Sequence, residues 1–380
     1  MTDLFQPYTL GSLRLRNRFV RSATTSAWAD ERGVVGPEIV ARYEELAAGE
    51  VGLIVKGHLY VDPRGKAHTG MAGISDDGHV PALTELVEAV HRNSGVIVAQ
   101  INHGGCEAEA GERMGPSDLD KPQWRARAMN AGEIREAIRA FGAAGRRAMN
   151  AGFDGVQIHA AHGYLLSQFL SKLANRRTDE WGGSLENRMR LLSEVYLELR
   201  TRLGDDAVIG MKLNCDDFSE SGFTVDESAL VAGELSRLGI DFIEVSGGGF
   251  GAEARYQACA RIQDDPAGRR TERPGPTRDA TLAEYPALAE AGFAGHCARI
   301  REATGSTPLA LVDGLRTLAG MQAVVDSGLA DLVSLCRPFI REPDLVKKLA
   351  AGQQEATCTR CDACSSEEVF GAQMMRCTLD

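Results

Sequence analysis

The sequence lacks the features of a membrane, secreted or nucleic-acid-binding protein. No run among its 380 residues approaches the roughly 18 uncharged apolar residues of a membrane-spanning helix. The N-terminus, Met-Thr-Asp-Leu-Phe-Gln-Pro, has neither the basic region nor the apolar core of a secretion signal. A formal net charge of −11 offers no attraction to nucleic acids or anionic membranes. We therefore expect a cytoplasmic protein that binds neither of them.

The sequence also lacks a Gly-x-Gly-x-x-Gly fingerprint after a strand, so it predicts no separate dinucleotide-binding domain. Its composition, 43% hydrophobic and 25% charged, is that of an ordinary globular protein and excludes disorder and fibrous folds. Although the chain is long for one domain, β/α barrels commonly reach this size as a single unit.

Short apolar runs rich in β-branched residues alternate with helical patterns, which is typical of βα units around a parallel sheet. Between them, Ile134, Ile138, Phe141 and Ala144 form one apolar helical stripe, and Ser184 precedes another helix as its cap. The eight runs cover residues 19–23, 52–56, 96–101, 155–158, 208–213, 242–245, 309–312 and 332–335. The prediction is an α/β fold, a single (β/α)8 TIM barrel over residues 1–350, with a short cysteine-rich extension over 351–380.

Two further segments are predicted at the ends of the barrel. Residues 8–10 and 13–15 flank Gly11-Ser12, which indicates a β-hairpin that plugs the N-terminal mouth. The long irregular stretch 251–286 follows the sixth strand, so it is a candidate lid over the opposite face.

The ends of the seventh and eighth strands suit a phosphate group. Barrel enzymes carry their chemistry at the C-terminal ends of the strands, and phosphate sites commonly follow the last two. The two segments there are Asp313-Gly314-Leu315-Arg316 and Cys336-Arg337-Pro338. Glycine lets the backbone approach an anion closely, and each arginine supplies a guanidinium that can bind a phosphate with two hydrogen bonds. The alternative is a tight turn beside a solvated arginine. A redox ring would in addition need an edge donor and acceptor, which Gln100 supplies, and a cation, which Lys212 supplies. The alternatives are a satisfied polar residue near a strand end for Gln100 and a structural ion pair for Lys212.

The segment after the fourth strand holds His159, His162 and Tyr164. Two imidazoles three residues apart can hydrogen-bond one substrate oxygen, and the phenol can deliver a proton. The alternative is a metal site in which His103 or Asp217 supplies a third ligand.

These residues closely resemble the old yellow enzyme family. The resemblance is carried by Ile-His-Ala-Ala-His-Gly-Tyr-Leu over 158–165 and Asn-Arg-Arg-Thr-Asp-Glu-Trp-Gly-Gly-Ser-Leu-Glu-Asn-Arg over 175–188. Further matches are Asn17-Arg18, Gln100-x-x-His103-x-Gly105 and Arg337-Pro338, so the likeness spans about residues 3–350. It implies an FMN-binding barrel.

The resemblance implies a role for each matched position. It assigns His159 and His162 to the substrate's activating oxygen and Tyr164 to proton donation. The implied flavin ligands are Ser22, Ala23, Thr25, Gly57, Gln100 and Lys212 around the ring and Asp313, Gly314, Cys336 and Arg337 around the phosphate. Lys212 replaces an arginine of many members, and Thr25 stands where some have cysteine. The segment 23–26, Ala-Thr-Thr-Ser, lacks the cysteine that links flavin covalently in trimethylamine dehydrogenase, so FMN should be non-covalent.

Four of the nine cysteines crowd the C-terminus as Cys358-x2-Cys361-x2-Cys364-x12-Cys377. In a reducing compartment, clustered thiols more often hold a metal than form disulfides. The spacing resembles the one by which the trimethylamine dehydrogenase branch binds a 4Fe-4S cluster, whereas dienoyl-CoA reductases place one more residue before the third cysteine. A structural Zn site or a set of reduced thiols are the alternatives.

Three functions remain open from the sequence. The first is an NAD(P)H-dependent ene-reductase acting on α,β-unsaturated carbonyls. The second is an amine dehydrogenase or N-demethylase that sends electrons through the cluster to a partner protein. The third is a non-catalytic flavin and iron-sulfur module, against which the complete histidine and tyrosine set argues. The family's barrels commonly assemble, so we expect a homo-oligomer with a small-molecule substrate.

Overall fold

A computed structural model describes residues 3–109, 111–121, 124–219, 221–248, 263–264, 270–271, 284–366, 369 and 373–379. The strands are β1 (Tyr8–Leu10), β2 (Leu13–Leu15), β3 (Phe19–Thr24), β4 (Leu53–Tyr60), β5 (Ile97–Asn102), β6 (Met114–Gly115), β7 (Leu119–Lys121), β8 (Trp124–Ala128), β9 (Gly155–Ala160), β10 (Val208–Asn214), β11 (Phe242–Ser246), β12 (Gln263–Asp264), β13 (Arg270–Thr271), β14 (Leu309–Val312) and β15 (Leu332–Leu335). The helices are α1 (Pro37–Ala48), α2 (Val80–Arg92), α3 (Ala131–Asn150), α4 (Leu165–Leu170), α5 (Leu185–Leu203), α6 (Val225–Leu238), α7 (Ala294–Thr304), α8 (Leu318–Asp326), α9 (Arg337–Arg341) and α10 (Leu345–Ala350).

Eight parallel strands close into a barrel in the order β3, β4, β5, β9, β10, β11, β14 and β15. Each corresponds to one of the eight predicted apolar runs, and the TIM-barrel prediction is confirmed. The largest difference is at β4, which extends to Tyr60, four residues beyond its predicted end. Sheet closure leaves no exposed strand edge, and helices cover the outer face, so nearly every position of these strands is buried.

The N-terminal hairpin closes one end of the barrel, as predicted. β1 and β2 pair antiparallel across Gly11-Ser12. Leu10 and Leu15 are fully buried and pack in one apolar cluster with Val98 and Phe242 from the barrel interior. The plug therefore keeps water out of the end of the barrel that carries no chemistry.

The helices pack their apolar stripes on the outside of the barrel. The predicted stripe of α3 is buried, and this helix begins with a capping box between Asn130 and Glu133. Ser184 caps α5 as predicted, since its side chain accepts the backbone N–H of Asn187. Among the described helices, none is both long and apolar enough to cross a membrane.

Two segments between the barrel elements differ from a plain βα repeat. A small three-stranded sheet of β6, β8 and β7 follows the third barrel strand, where the sequence patterns predicted no strand. The predicted lid over 251–286 lies outside the described residues, apart from 284–286 and the antiparallel pair of β12 and β13.

The cysteine-rich extension packs back onto the C-terminal face of the barrel. The backbone N–H of Leu318 donates to Gln354 at 2.8 Å, and that of Ala356 donates to Arg316 at 2.9 Å. Further along, the N–H of Met375 donates to Ser26 at 3.0 Å. The extension therefore reaches both the phosphate side and the first strand of the barrel.

A buried cationic pair lies between the barrel and α1. Lys56 is fully buried, with Nζ 5.5 Å from the ring centroid of Tyr43, and the guanidinium carbon of Arg21 lies 5.6 Å from the same ring. Within the described residues, Lys56 Nζ has no hydrogen-bond partner. Burial first, and repulsion by Arg21 second, lowers the pKa of Lys56 to about 7.

Candidate active site

A cavity of about 340 Å³ opens at the C-terminal ends of the barrel strands. Its volume falls in the range of roughly 300–1,000 Å³ that is usual for cofactor and ligand sites. Eight of the predicted site residues line it together: Ser22, Ala23, His162, Lys212, Asp313, Gly314, Cys336 and Arg337. The barrel therefore gathers residues from five strand ends into one space.

The floor of the cavity is a buried ion pair held by hydroxyl groups. Lys212 Nζ lies 3.3 Å from Glu244 Oε2 and donates to Ser22 Oγ at 2.8 Å. Ser22 and Ser334 each donate to Glu244 Oε1 at 2.7 Å. Burial alone would raise the pKa of Glu244, but the Lys212 ammonium and these donors outweigh it and hold the pKa below its ordinary value. Glu244 thus stays ionised and fixes the Lys212 cation in place.

Gln100 joins this network through a second glutamine. Its Nε2 donates to Gln157 Oε1 at 2.7 Å, and Gln157 Nε2 donates to Glu244 Oε2 at 2.9 Å. Gly57 lies beside them, because a Cβ added there would stand 2.3 Å from the Ala23 Cβ and 3.1 Å from Gln100 Oε1. Neither Gly57 nor Gln100 is among the residues that line the cavity, but both lie directly behind its Ala23 wall.

The turn after β14 shapes the predicted phosphate end. Asp313 and Gly314 both have positive φ, at 97° and 80°, and a Cβ at Gly314 would lie 1.9 Å from the carbonyl oxygen of Glu290. Only glycine fits there. Arg316 and Arg337 line the same end of the cavity. In the described part of the chain, the buried Nε of Arg316 has no hydrogen-bond partner.

His159, His162 and Tyr164 form one aromatic cluster at the mouth of the barrel. The His159 ring centroid lies 5.0 Å from that of His162 and 5.1 Å from that of Tyr164. The N–H of Ala161 donates to His159 Nδ1 at 3.3 Å, so a neutral His159 carries its proton on Nε2. His162 Nε2 lies 2.7 Å from Ser246 Oγ, and its φ of 61° places it in the left-handed region that non-glycine residues rarely adopt.

Two histidines that the sequence analysis did not select connect Thr25 to this cluster. The Thr69 carbonyl, 2.9 Å from His68 Nδ1, can only accept, so a neutral His68 carries its proton on Nδ1. The single lone pair of His68 Nε2 lies within reach of two donors, the Thr25 hydroxyl at 3.0 Å and His58 Nε2 at 3.3 Å. The His58 ring in turn lies 5.1 Å from that of Tyr164. Burial, with His68 as the next cause for His58, lowers the pKa of both imidazoles, so both are neutral at pH 7.

The structure does not bring His103 or Asp217 to the histidine pair as metal ligands. His103 Nδ1 accepts the N–H of Gly105 at 3.0 Å, and Asp217 accepts from Asn214 at 2.8 Å. Across the described ranges, no group of three or more His, Cys, Asp or Glu side chains is arranged to hold a metal ion. The arrangement here favours substrate binding by His159 and His162.

The four cysteines of the extension converge on one small hollow of about 20 Å³. Cys358, Cys361, Cys364 and Cys377 all line it. Burial first, and the neighbouring Cys336 second, raises the pKa of Cys364 to about 11. Arg341 donates to Cys377 Sγ at 3.2 Å. The thiols share a space without forming a closed coordination sphere.

The geometry of this barrel agrees with comparisons to known proteins. A model of the NADH:flavin oxidoreductase / NADH oxidase family matches residues 3–259 of the chain. The chain belongs to this family. The resemblance to old yellow enzymes is confirmed.

Three curated relatives illustrate the range of this flavin oxidoreductase family. An NADH oxidase of Thermoanaerobacter brockii is 31% identical over all of this chain and 56% of its own length. An NADPH dehydrogenase of Halalkalibacterium halodurans is 37% identical over 64% of this chain and 73% of its own length. An N,N-dimethylglycine/sarcosine dehydrogenase of Chromohalobacter salexigens is 28% identical over 98% of this chain and 52% of its own length. The chain spans about half the length of the first and third.

Solved structures show the same barrel. A 2-naphthoyl-CoA reductase in complex with 2-naphthoyl-CoA has a TM-score of 0.85 and 28% identity, and the match covers 99% of this chain and 56% of that one. An old yellow enzyme homologue from Zymomonas mobilis has a TM-score of 0.75 and 28% identity over 93% of this chain and 94% of its own.

The residues present fit FMN. A buried cation, Lys212, lies beside a chain of amide groups that includes Gln100, as a reducible ring requires. Arg337 and Arg316 line the other end of the same cavity and suit a phosphate. Arg316 Nε has no hydrogen-bond partner among the described residues.

Several functional candidates escaped the sequence analysis. Glu244 and Gln157 were the detectable ones, because a charged or amide side chain inside an apolar strand is itself a signal. His58 and Ser246 lie just beyond the predicted ends of their strands, and no role was assigned to them; in the structure both belong to the strands themselves, β4 and β11. His68 lies in a loop, and no local pattern in the sequence marks it.

Proposed function

We propose that the protein uses NAD(P)H to reduce the activated C=C bond of an α,β-unsaturated carbonyl compound. The observation that carries this proposal is the cluster of His159, His162 and Tyr164 beside a cavity that suits FMN. Two hydrogen-bond donors for one oxygen and a phenol as proton source are what such a reduction needs.

Each part of the site has a role in this proposal. Ser22, Ala23, Gly57, Gln100 and Lys212 would hold the ring of a non-covalent FMN, with Thr25 at its edge. Asp313, Gly314, Cys336 and Arg337 would hold its phosphate. Bound FMN supplies hydride that originates from NAD(P)H.

The histidines polarise the substrate in this scheme. His159 carries a proton on Nε2, as its Nδ1 accepts the Ala161 N–H at 3.3 Å. A carbonyl oxygen that accepts this proton and one from His162 would be stabilised as it gains enolate-like charge. The Tyr164 hydroxyl then protonates the α-carbon of the substrate.

Separate anaerobic half-reactions test the proposal. NADH or NADPH should bleach the flavin absorption band, and a small enone should restore it within one turnover. The matched saturated ketone has no C=C bond and should leave the band bleached. The proposal fails if neither a cyclic nor an acyclic enone reoxidises the flavin faster than buffer alone.

In a second candidate function, the flavin takes electrons from the substrate instead of giving them to it. The chain would oxidise a small methylated amine and pass electrons through a 4Fe-4S cluster to a partner protein. Two observations favour it: the four extension cysteines line one hollow, and a relative that matches 98% of this chain is an N,N-dimethylglycine/sarcosine dehydrogenase. Four thiolates are the ligand set of such a cluster, and also of a structural Zn site.

Metal analysis after anaerobic purification distinguishes these options. A cluster predicts about four iron atoms and four sulfides per chain. Cys361→Ser should lose this iron, whereas Cys297→Ala, in the apolar core, should retain it. One zinc per chain would instead assign a structural site. Amine oxidation requires that a methylated amine bleach the flavin without NAD(P)H. If none of a panel of such amines does so, this second candidate function is wrong.

A further inference from the structure

We propose that Arg360, which lies between the first two cysteines of the extension, completes the phosphate site of the flavin cavity. The extension would thereby be part of the cofactor-binding machinery as well as a cysteine cluster. This inference rests on the placement of FMN in the cavity but not on the substrate that is reduced.

The flavin cavity and the cysteine hollow are adjacent and have two lining residues in common. Arg337 and Arg360 line both of them. Arg337 is ion-paired with Asp362, which lies between the second and third cysteines. The cysteine segment is therefore attached to the phosphate end of the cavity through its own charged residues.

The backbone of the extension holds Arg360 toward the barrel. Arg360 and Asp362 both have a φ of 60°, in the left-handed region that non-glycine residues rarely adopt. The Arg360 guanidinium donates to the carbonyl oxygen of Gly314, the glycine at the turn of the phosphate site. An unfavourable backbone conformation is thus retained where it brings a cation to that turn.

The charges around Arg360 leave room for an anion. Among the described residues, Arg360 is ion-paired with Glu290, whose Oε2 lies 3.8 Å from Nη2. The Oε1 of Glu290 already accepts the N–H groups of Arg316 and Thr317, at 3.1 and 2.9 Å. Arg316 itself reaches Glu355 only at 3.6 Å. Arg337 is paired with Asp362, but the ion pairs of Arg316 and Arg360 among the described residues are long, so these two arginines are only loosely compensated by carboxylates.

Among the described residues that line the flavin cavity, two buried donors face no acceptor. These are the Nε atoms of Arg316 and Arg360. A buried N–H without a partner is unfavourable, and a multi-oxygen dianion beside both side chains would satisfy them together. The phosphate monoester of FMN is such an anion, whereas riboflavin, which has the same ring, is not.

The extension and the flavin site should consequently stabilise each other. If Arg360 contacts the phosphate only when the extension is folded against the barrel, FMN binding favours the folded extension by the same factor that the extension favours FMN.

Titration of flavin-free protein with FMN and with riboflavin tests the inference without any turnover. Arg360→Gln should weaken FMN binding about 10- to 100-fold, the usual effect of losing a hydrogen bond to a charged group, and leave riboflavin binding within about twofold. Arg360→Lys should show an intermediate loss, because it keeps the charge without the fork, and it serves if the glutamine variant does not fold.

Arg341→Gln is the matched control. Arg341 borders the cysteine hollow and contacts Cys377 but does not line the flavin cavity. It should leave the ratio of FMN to riboflavin affinity unchanged. Unaltered FMN affinity in the Arg360 variants, or an equal loss for both flavins, would overturn the inference. A protein that keeps this Arg360 dependence yet reduces no enone would instead overturn only the proposed function.

Discussion

Replacement of Tyr164 by phenylalanine is expected to lower enone turnover at least about 100-fold, since a positioned general acid contributes roughly 10²- to 10⁴-fold. The ring would remain to pack against His58 and His159, whose centroids lie 5.1 Å from it, so the cluster should keep its shape. Reduction of the flavin by NAD(P)H does not need this proton and should change by less than about twofold. Stopped-flow measurement of the two half-reactions separates these effects.

Tyr60→Phe is the control for that experiment. Tyr60 packs in the same apolar cluster as Tyr164, but its hydroxyl donates to the carbonyl of Arg32 at 2.7 Å. Its removal should alter stability more than the oxidative half-reaction. Full enone turnover by Tyr164→Phe would show that the α-carbon takes its proton from another group.

Replacement of the buried Lys56 by methionine is expected to stabilise the protein strongly below neutral pH. The pKa of Lys56 is lowered from 10.5 to about 7, by burial first and Arg21 second. Since each pKa unit corresponds to about 1.36 kcal/mol, the buried ammonium costs about 5 kcal/mol at pH 6. Methionine is unbranched, carries no charge and can fill the same space.

The sign of the pH dependence follows from the lowered pKa. Below pH 7 the ammonium is charged in both folded and unfolded chains, so its full penalty is present. Between pH 7 and 10.5 the unfolded chain holds the proton that the folded chain has released, so folding stability rises with pH. The advantage of Lys56→Met should therefore shrink to about 2 kcal/mol at pH 9.

Urea unfolding of both proteins at pH 6 and pH 9 measures this difference. Lys347→Met provides the control, because Lys347 is exposed on α10 and its loss should change stability by less than about 0.5 kcal/mol at either pH. Equal stability of Lys56→Met and the wild-type protein at pH 6 would mean that an anion compensates the buried cation.

The candidate site was partly predictable because a barrel collects its strand ends. Lys212 lies near the C-terminal end of β10, and Gly314 follows β14. The closed sheet alone is enough to bring such positions to one face. Glu244 was not predicted as a site residue. It lies inside an apolar run, where a single charged side chain only weakens the strand pattern. Its partner Ser22 is 222 residues away, and that separation is invisible to any local pattern.

The sequence by itself determined the eight strands, the hairpin, the helix cap at Ser184 and the order of the family motifs. All of these are local: strand and helix periods, turn residues and caps act over a few neighbouring positions. Only the tertiary structure decided that Glu244 holds Lys212, that His68 links Thr25 to His58, and that Arg360 of the extension reaches Gly314. These contacts depend on barrel closure and on the path of the returning chain, which are properties of the whole molecule and not of any segment.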